Sequence, residues 1–264
     1  MIILQQLKKY ASVFLKYMPL LRELVQRDLK VRYRHSILGM LWTLLNPLLT
    51  MIVLSIVFSS MFKMNIDNFP VYAMIGNIVF SCNSEATNQA MNSIIWNSSL
   101  IKKVYIPKYL FPMSNVLSCL INFLFSFIAL IIVMIFTKSE FYSTIITVWI
   151  PLLYLITFSF GLGMILCSIN VFFRDMQHLY GVFTMVWMYL SAIFYPIEFV
   201  PDALKKFIFY NPMYQYITFF RTIIIDGVFP NIQTNLLCAA YSVSALIIGI
   251  LTFRRLQDKF ILHI

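Results

Sequence analysis

Between Ser36 and Lys63 the chain reads ILGMLWTLLNPLLTMIVLSIVFSSMF, twenty-six residues without one charge. At about 1.5 Å of rise per helical residue, that run covers the roughly 30 Å hydrocarbon core of a bilayer. Five more apolar stretches follow, at 71–95, 109–136, 141–168, 176–197 and 235–253. One soluble core in a 264-residue chain cannot hide six such runs. The pattern predicts an all-α membrane protein with six transmembrane helices, the first at 37–62, in a single membrane domain over 1–264.

Residues 14–35 follow a different rule. Arg22, Glu23, Arg27, Asp28, Lys30, Arg32 and Arg34 rule out a span, yet Tyr17, Leu21, Leu24, Val25 and Leu29 share one helical face. Such a helix lies in the membrane interface. Lys30, Arg32 and Arg34 crowd the start of the first span, either as a basic anchor or as a contact for a phosphorylated headgroup or a cytoplasmic partner.

The second stretch carries Asn77, Ser81, Ser84, Glu85, Asn88 and Asn92 at steps of three or four, so they form a polar stripe. Lipid does not accept that stripe, because a carboxylate at mid-membrane costs at least about 2.5 kcal/mol. The third stretch repeats the device with Asn115, Ser118, Asn122 and Ser126. Two readings stand: hydrogen bonds between helices, or a polar conduit formed by Asn77, Ser81, Glu85 and Asn88.

Residues 199–227 hold two apolar pieces too short to cross. Pro201, Asp202 and Pro212 suit first-turn helix positions and Gly227 a helix stop. The expectation is a re-entrant helical hairpin entering from the outer face, with two surface-lying amphipathic helices as the alternative. Aromatic residues gather here, among them Phe194, Tyr195, Phe207 and Tyr210. They suit interface anchors or a surface on which sugar rings stack at an exit.

Charge orients the spans. The N-terminal arm holds eight Lys and Arg, the 98–108 loop three, the loop at Arg174 one and the C-terminal tail three. The opposite side holds Lys63, Lys138, Lys205, Lys206 and Arg221. Both termini are therefore expected in the cytoplasm. A composition of 61% hydrophobic residues and a net charge of +10 fit a membrane protein attracted to anionic lipid, with no pattern for nucleic acid. Cys82, Cys119, Cys167 and Cys238 fall in apolar stretches without metal-type spacing and read as packing residues. The first residues, MIILQQLKKY, lack the order of a cleavable signal.

Nothing resembles a catalytic centre. His35, His178 and His263 lie far apart, and no HExxH, Gly-x-Ser-x-Gly or metal pattern occurs. The loop GxxxxGK[S/T] is absent too, so any ATP is expected to be hydrolysed elsewhere. The polar segment at 97–112, NSSLIKKVYIPKYLFP, reads as a short helix capped by Ser98 or Ser99 and interrupted by Pro107. Lys102 and Lys103 give it charge, and Ile101, Val104 and Tyr105 an apolar patch for a partner.

Four segments together resemble the type-2 ABC-transporter permeases that export polysaccharides, including O-antigen, teichoic acid and rhamnan. RDLKVRYRHSILGMLWTLLNPLL at 27–49 is similar to the family's interface helix running into its first span, and SSLIKKVYIPKYLFP at 98–112 to its coupling loop. NVFFRDMQHLYG at 170–181 resembles its second cytoplasmic turn, and the sequence at 194–227 its re-entrant hairpin.

The resemblance implies a homodimer in the bacterial cytoplasmic membrane, joined to two cytoplasmic ABC ATPase subunits that hold ATP and Mg. No cofactor is implied for this chain. The implied cargo is a glycan on undecaprenyl pyrophosphate, with Lys30, Arg32 and Arg34 meeting the pyrophosphate. Closure of the ATPase subunits would push Ser98, Ile101, Lys102, Lys103, Val104, Tyr105 and Pro107 and shift the two membrane subunits apart. Export of another lipid or a hydrophobic drug is the alternative, although the outer segment from Lys63 to Pro70 is too short for the large domain that related drug exporters carry. A membrane transferase would need clustered acids or histidines that this sequence scatters.

Overall fold

A computed structural model describes the backbone of residues 2–33, 38–39, 41–61 and 68–264, and the side chains of 15–31, 38–39, 41–53, 56–57 and 68–264. All regular structure among these residues is helical. In chain order α1 spans Ile2–Tyr33, α2 Leu41–Met61, α3 Phe69–Trp96, α4 Ser98–Lys103 and α5 Leu110–Phe136. A 3-10 turn at Ser143–Val148 leads into α6, Trp149–Phe172, and then α7 covers Met176–Tyr189. The chain closes with α8 Asp202–Phe209, α9 Pro212–Ile224, α10 Ile232–Leu256 and α11 Phe260–His263.

Among the described residues three helical segments are long and apolar enough to cross a membrane: Leu110–Phe136, Ser143–Phe172 and Ile232–His263. Leu41–Val53, within α2, is a shorter apolar stretch. α3 has the length, at 28 residues, but its polar stripe lowers its hydropathy, and it packs against both α5 and α6. The apolar stretch expected to span at 176–197 is helical for only 14 residues, about 21 Å.

Side chains explain that early stop. The carbonyl of Leu190 accepts from Asn211 Nδ2 at 2.9 Å, and those of Ala192 and Ile193 accept from Arg221 at 3.1 and 2.8 Å. Ala192 turns the chain with φ 47, and Pro196 follows. A continuing helix could satisfy the Leu190 and Ile193 carbonyls internally but not that of Ala192, because Pro196 has no N–H, so all three are met from outside.

The turn residues behave as their chemistry dictates. α8 begins directly after Pro201, and α9 begins at Pro212 with Asn211 Oδ1 accepting from Met213 N at 3.0 Å. Asn231 caps α10 by accepting from Thr234 N at 2.9 Å. Both asparagines satisfy a donor that the first helical turn leaves open. Gly227 sits at φ 66 with the Tyr142 ring against it.

Two apolar clusters organise the packing. The larger joins α3, α5, α6, α9 and the start of α10, through residues such as Met74, Ile78, Phe123, Leu155, Tyr216 and Phe220. The second gathers the other end: Leu21 and Leu24 of α1, Ile94 of α3, Ile101 of α4, Leu110 and Phe111 of α5, Cys167 of α6, Phe253 and Phe260. α1 is thereby seated on the bundle and extends well before residue 14, where the amphipathic pattern begins.

α6 and α10 meet backbone to backbone. A Cβ on Gly249 would stand 2.3 Å from the Gly161 carbonyl oxygen, and one on Gly161 would stand 2.4 Å from the Ala245 carbonyl carbon. Small residues permit this approach where apolar burial gives little drive between helices in lipid. We expect Gly249→Val to force α6 and α10 apart at a cost of about 1–3 kcal/mol or more, read as a lower melting temperature in detergent. Gly181→Ala, which meets nothing within 4 Å, should melt like the native chain.

Candidate functional site

A cavity of about 880 Å³ opens among α2, α3, α5 and α7. α3 lines it with Asn77, Ser81, Ser84, Glu85 and Asn88, and α5 adds Asn122 and Ser126. α2 contributes Trp42, Thr43, Asn46 and Thr50, while α7 presents Gly181, Thr184, Met185 and Met188. Glu85 Oε1 accepts from Gln89 Nε2 at 3.1 Å and from Asn122 Nδ2 at 3.4 Å. Asn88 Nδ2 donates to the Ser84 carbonyl at 2.9 Å, and Ser126 Oγ reaches the Thr43 carbonyl at 3.4 Å. Amides and hydroxyls both donate and accept, so this lining suits a ligand rich in hydroxyl groups.

The stripe on α3 divides. Asn77, Ser81, Glu85 and Asn88 come together on the cavity wall. Asn92, expected on the same stripe, is buried and accepts from Asn170 Nδ2 at 3.2 Å and from Gln177. A second buried seam runs beside it. Ser159 Oγ donates to Asn83 Oδ1 at 2.8 Å, and Thr87 Oγ1 shares a hydrogen bond with the Tyr180 hydroxyl at 2.7 Å. α3 thus bonds to α6 and α7 on one side and faces the cavity on another. On α5 the split recurs: Asn115 Nδ2 donates to the Gln89 carbonyl at 3.3 Å, and Ser118 folds back on the Ser114 carbonyl.

At the other end, α1 carries an open cavity of about 510 Å³ lined by Glu23, Gln26, Arg27, Lys30 and Val31. Of the expected headgroup contacts, Lys30 lines it. The Arg32 side chain and all of Arg34 lie outside the described residues. Arg27 Nη1 donates to Asn97 Oδ1 at 2.8 Å, and Asp28 Oδ2 accepts from Ser114 Oγ at 3.1 Å, which ties α1 to α4 and α5.

The coupling segment differs from expectation in two respects. Asn97, and neither Ser98 nor Ser99, occupies the position before α4, without a side-chain cap. Ile101 is only 7% exposed and packs under α1 with Leu21, Leu24 and Phe111, so it offers no surface to a partner. A residue at 101 points inward because the amphipathic α1 covers that face. Lys102, Lys103, Val104 and Tyr105 remain exposed, Tyr105 at 95%. Pro107 follows the end of α4, as a helix interrupter should. Lys108 Nζ donates to the Gln257 carbonyl at 2.5 Å, and burial holds its pKa below the ordinary lysine value against the pull of Asp258.

The four exit aromatics stand away from the cavity wall. Phe194 packs against the main core and Tyr195 donates to the Tyr189 carbonyl. Phe207 and Tyr210 project outward from the end of α8. Arg221, counted above among the outer-side charges, is a buried α9 residue, 7% exposed. Its guanidinium lies 3.4 Å over the Tyr72 ring and donates to three backbone carbonyls, so its charge belongs to the core.

Sequence reasoning missed α2 and α7 as cavity walls. On α2 the signal was present, since Thr43, Asn46 and Thr50 recur at steps of three and four within the charge-free run. On α7, Gly181 and the methionines are indistinguishable from packing residues.

With this geometry in hand, comparison gives a consistent answer. The family model described as ABC-2 type transporter matches residues 19–225. The chain is 33% identical over 249 residues to an O-antigen export system permease protein RfbA from Myxococcus xanthus, covering 93% of this chain and 95% of that one. It is 29% identical to an RfbA permease of the same description from Klebsiella pneumoniae, over 91% and 93% of the two chains. The polysialic acid transport protein KpsM of Escherichia coli is 22% identical over 88% and 91%.

Water access to the cavity can be measured directly. Ser81 is exposed on its wall, whereas Cys167 is fully buried in the second cluster. Cys82 and Cys119 line the same cavity, so in a chain with both replaced by alanine a Ser81→Cys variant should react rapidly with a small charged methanethiosulfonate in detergent, well above the rate of that background without it. Equal rates would mean the cavity is closed to water.

Proposed function

The chain belongs to the ABC-2 type transporter family, and from that premise we propose that it is the permease subunit of a bacterial polysaccharide exporter. The observation that carries the reading is the cavity of about 880 Å³ whose wall sets the amides and hydroxyls of α2, α3, α5 and α7 among apolar and aromatic side chains such as Trp42, Phe80, Phe123 and Met185, in a chain aligned nearly end to end with O-antigen permeases. Hydrocarbon does not accept such a wall. Hydroxyl-rich sugars do, which favours a glycan over a wholly hydrophobic drug.

In this reading the chain crosses the bacterial cytoplasmic membrane six times, with both termini in the cytoplasm and α8 and α9 as the re-entrant hairpin. A second copy, placed against α2 and α7, closes the open side of the cavity and completes a conduit. The exposed apolar residues of α7, including Leu179, Val182, Phe183 and Val186, suit that contact. The cargo is a glycan on undecaprenyl pyrophosphate, its headgroup met by Lys30, Arg32 and Arg34 and its sugars passing Asn77, Ser81, Glu85 and Asn88. Phe207 and Tyr210 then offer rings at the exit.

Energy comes from two cytoplasmic ABC ATPase subunits that bind ATP and Mg, since this sequence has no phosphate-cradling loop. They press on the segment around α4. Its exposed part, Lys102 to Tyr105, meets the partner, while Ile101 transmits the push into the cluster beneath α1.

Two variants separate these roles. Tyr105→Asp alters an exposed side chain and should leave yield and melting unchanged while lowering ATPase co-purification and export. Ile101→Asp buries a charge among Leu21, Leu24 and Phe111 and should lower stability by about 3–5 kcal/mol, read as lost yield in detergent. Ser81→Trp should keep the assembly and its ATPase yet stop glycan export by filling the cavity. Normal export by Ser81→Trp at equal expression would remove the conduit reading.

A further inference from the structure

Two features of α1 meet in one side chain. Arg27 lines the cavity of about 510 Å³ beside Lys30, and its Nη1 donates to Asn97 Oδ1 at 2.8 Å. Its Nε and Nη2 hold Asp28 Oδ1 at 3.2 and 2.8 Å. Asp28 Oδ2 in turn accepts from Ser114 Oγ at 3.1 Å. Asn97 is the residue between α3 and α4, and Ser114 lies near the start of α5. One guanidinium therefore touches a surface open to ligand and, directly or through Asp28, both flanks of the coupling segment.

We propose that Arg27 is a positioning residue linking occupancy of this α1 cavity by a membrane-borne pyrophosphate to the coupling helix α4; the proposal rests on the export reading above. A guanidinium presents five N–H donors in a rigid fork. Phosphate oxygens take that fork bidentately, in charge-assisted bonds that outcompete a bond to a neutral amide oxygen. With its Nε side held by Asp28, Arg27 offers a pyrophosphate settling over Lys30 the Nη1–Nη2 end of the fork, which draws Nη1 away from Asn97 Oδ1. Asn97 keeps its second bond, from Nδ2 to the Ser93 carbonyl at 2.7 Å, and so stays with α3. The junction of α3 and α4 then loses its tie to α1 and turns more freely under the partner's push. Arrival of cargo at the membrane surface becomes a mechanical signal at the ATPase contact.

The geometry favours a ligand held at the membrane. Leu21 and Leu24, on the opposite face of α1 from the cavity, are buried against the bundle, which leaves the Arg27 and Lys30 face outward in the position of an interface helix. Dissolved phosphate offers the same oxygens without that confinement, so the experiment must distinguish the two.

The chain is reconstituted with its ATPase subunit in phosphatidylethanolamine and phosphatidylglycerol vesicles, and hydrolysis is followed against polyprenyl pyrophosphate or free inorganic pyrophosphate. The lipid should stimulate the native complex and the free ion at equal concentration should not. Asn97→Ala, which removes the acceptor, should make the rate independent of the lipid. Asn97→Asp, which holds the guanidinium more tightly, should raise the lipid fraction for half-maximal stimulation by about tenfold, the equivalent of one stronger hydrogen bond. A merely structural asparagine would not give these opposite shapes of response. Native-like responses in either variant would overturn the link while leaving the export reading intact. Equal stimulation by the free ion would overturn the membrane source. A native complex indifferent to the lipid would remove the headgroup reading and the link with it. If Asn97→Ala fails to assemble, Asn97→Asp decides alone, and an unchanged half-maximal fraction overturns the proposal.

Discussion

A polar side chain placed in hydrocarbon must find its partner inside the protein, and α3 carries such side chains on two of its faces. One face is closed by Ser159, Tyr180, Asn170 and Gln177, which reach Asn83, Thr87 and Asn92 from α6 and α7. The other face borders the cavity, where Asn122 of α5 donates to Glu85. This asymmetry ranks the helices. α5, α6 and α10 are long and apolar enough to cross a membrane, whereas α3 is held among them by contacts that its own sequence cannot supply.

The close approach of α6 and α10 at Gly161 and Gly249 brings their backbones into direct contact. α7 bonds to α3 through Gln177 and Tyr180, and Tyr180 and Thr184 are its buried side chains. Arg221 ends that helix from a distance: by donating to the Ala192 and Ile193 carbonyls it fixes where α7 stops and seats α9 against Tyr72 at the start of α3. A buried cation is costly unless its donors are met. Here three carbonyls and a ring face meet them, so the outer segment is held by one well-satisfied group.

At the opposite end, α1, α4, the start of α5 and α11 share one apolar cluster. Arg27, Asp28 and Lys108 bond across its edges. α4 is thereby joined to α1 and to the ends of α3 and α5, and α3 and α5 are two of the helices that wall the cavity. The short stretch at Lys102 to Tyr105 stands exposed beside that cluster.

The sequence by itself determined the helical class, the amphipathic α1, the polar stripe of α3 and the helix starts at Asp202 and Pro212. Each follows from local period or turn chemistry, which a chain carries wherever it folds. Tertiary structure decided the rest. Ile101 reads as surface in its own short loop and is buried because α1 lies over it. The 176–197 run reads as a span and stops at Tyr189 because Pro196 offers no N–H to continue the ladder and Asn211 and Arg221, more than twenty residues away, meet the Leu190, Ala192 and Ile193 carbonyls. Asn88 and Asn92 look alike along the stripe, yet one borders the cavity and the other bonds Asn170, because only the placement of α6 and α7 separates an open face from a filled one.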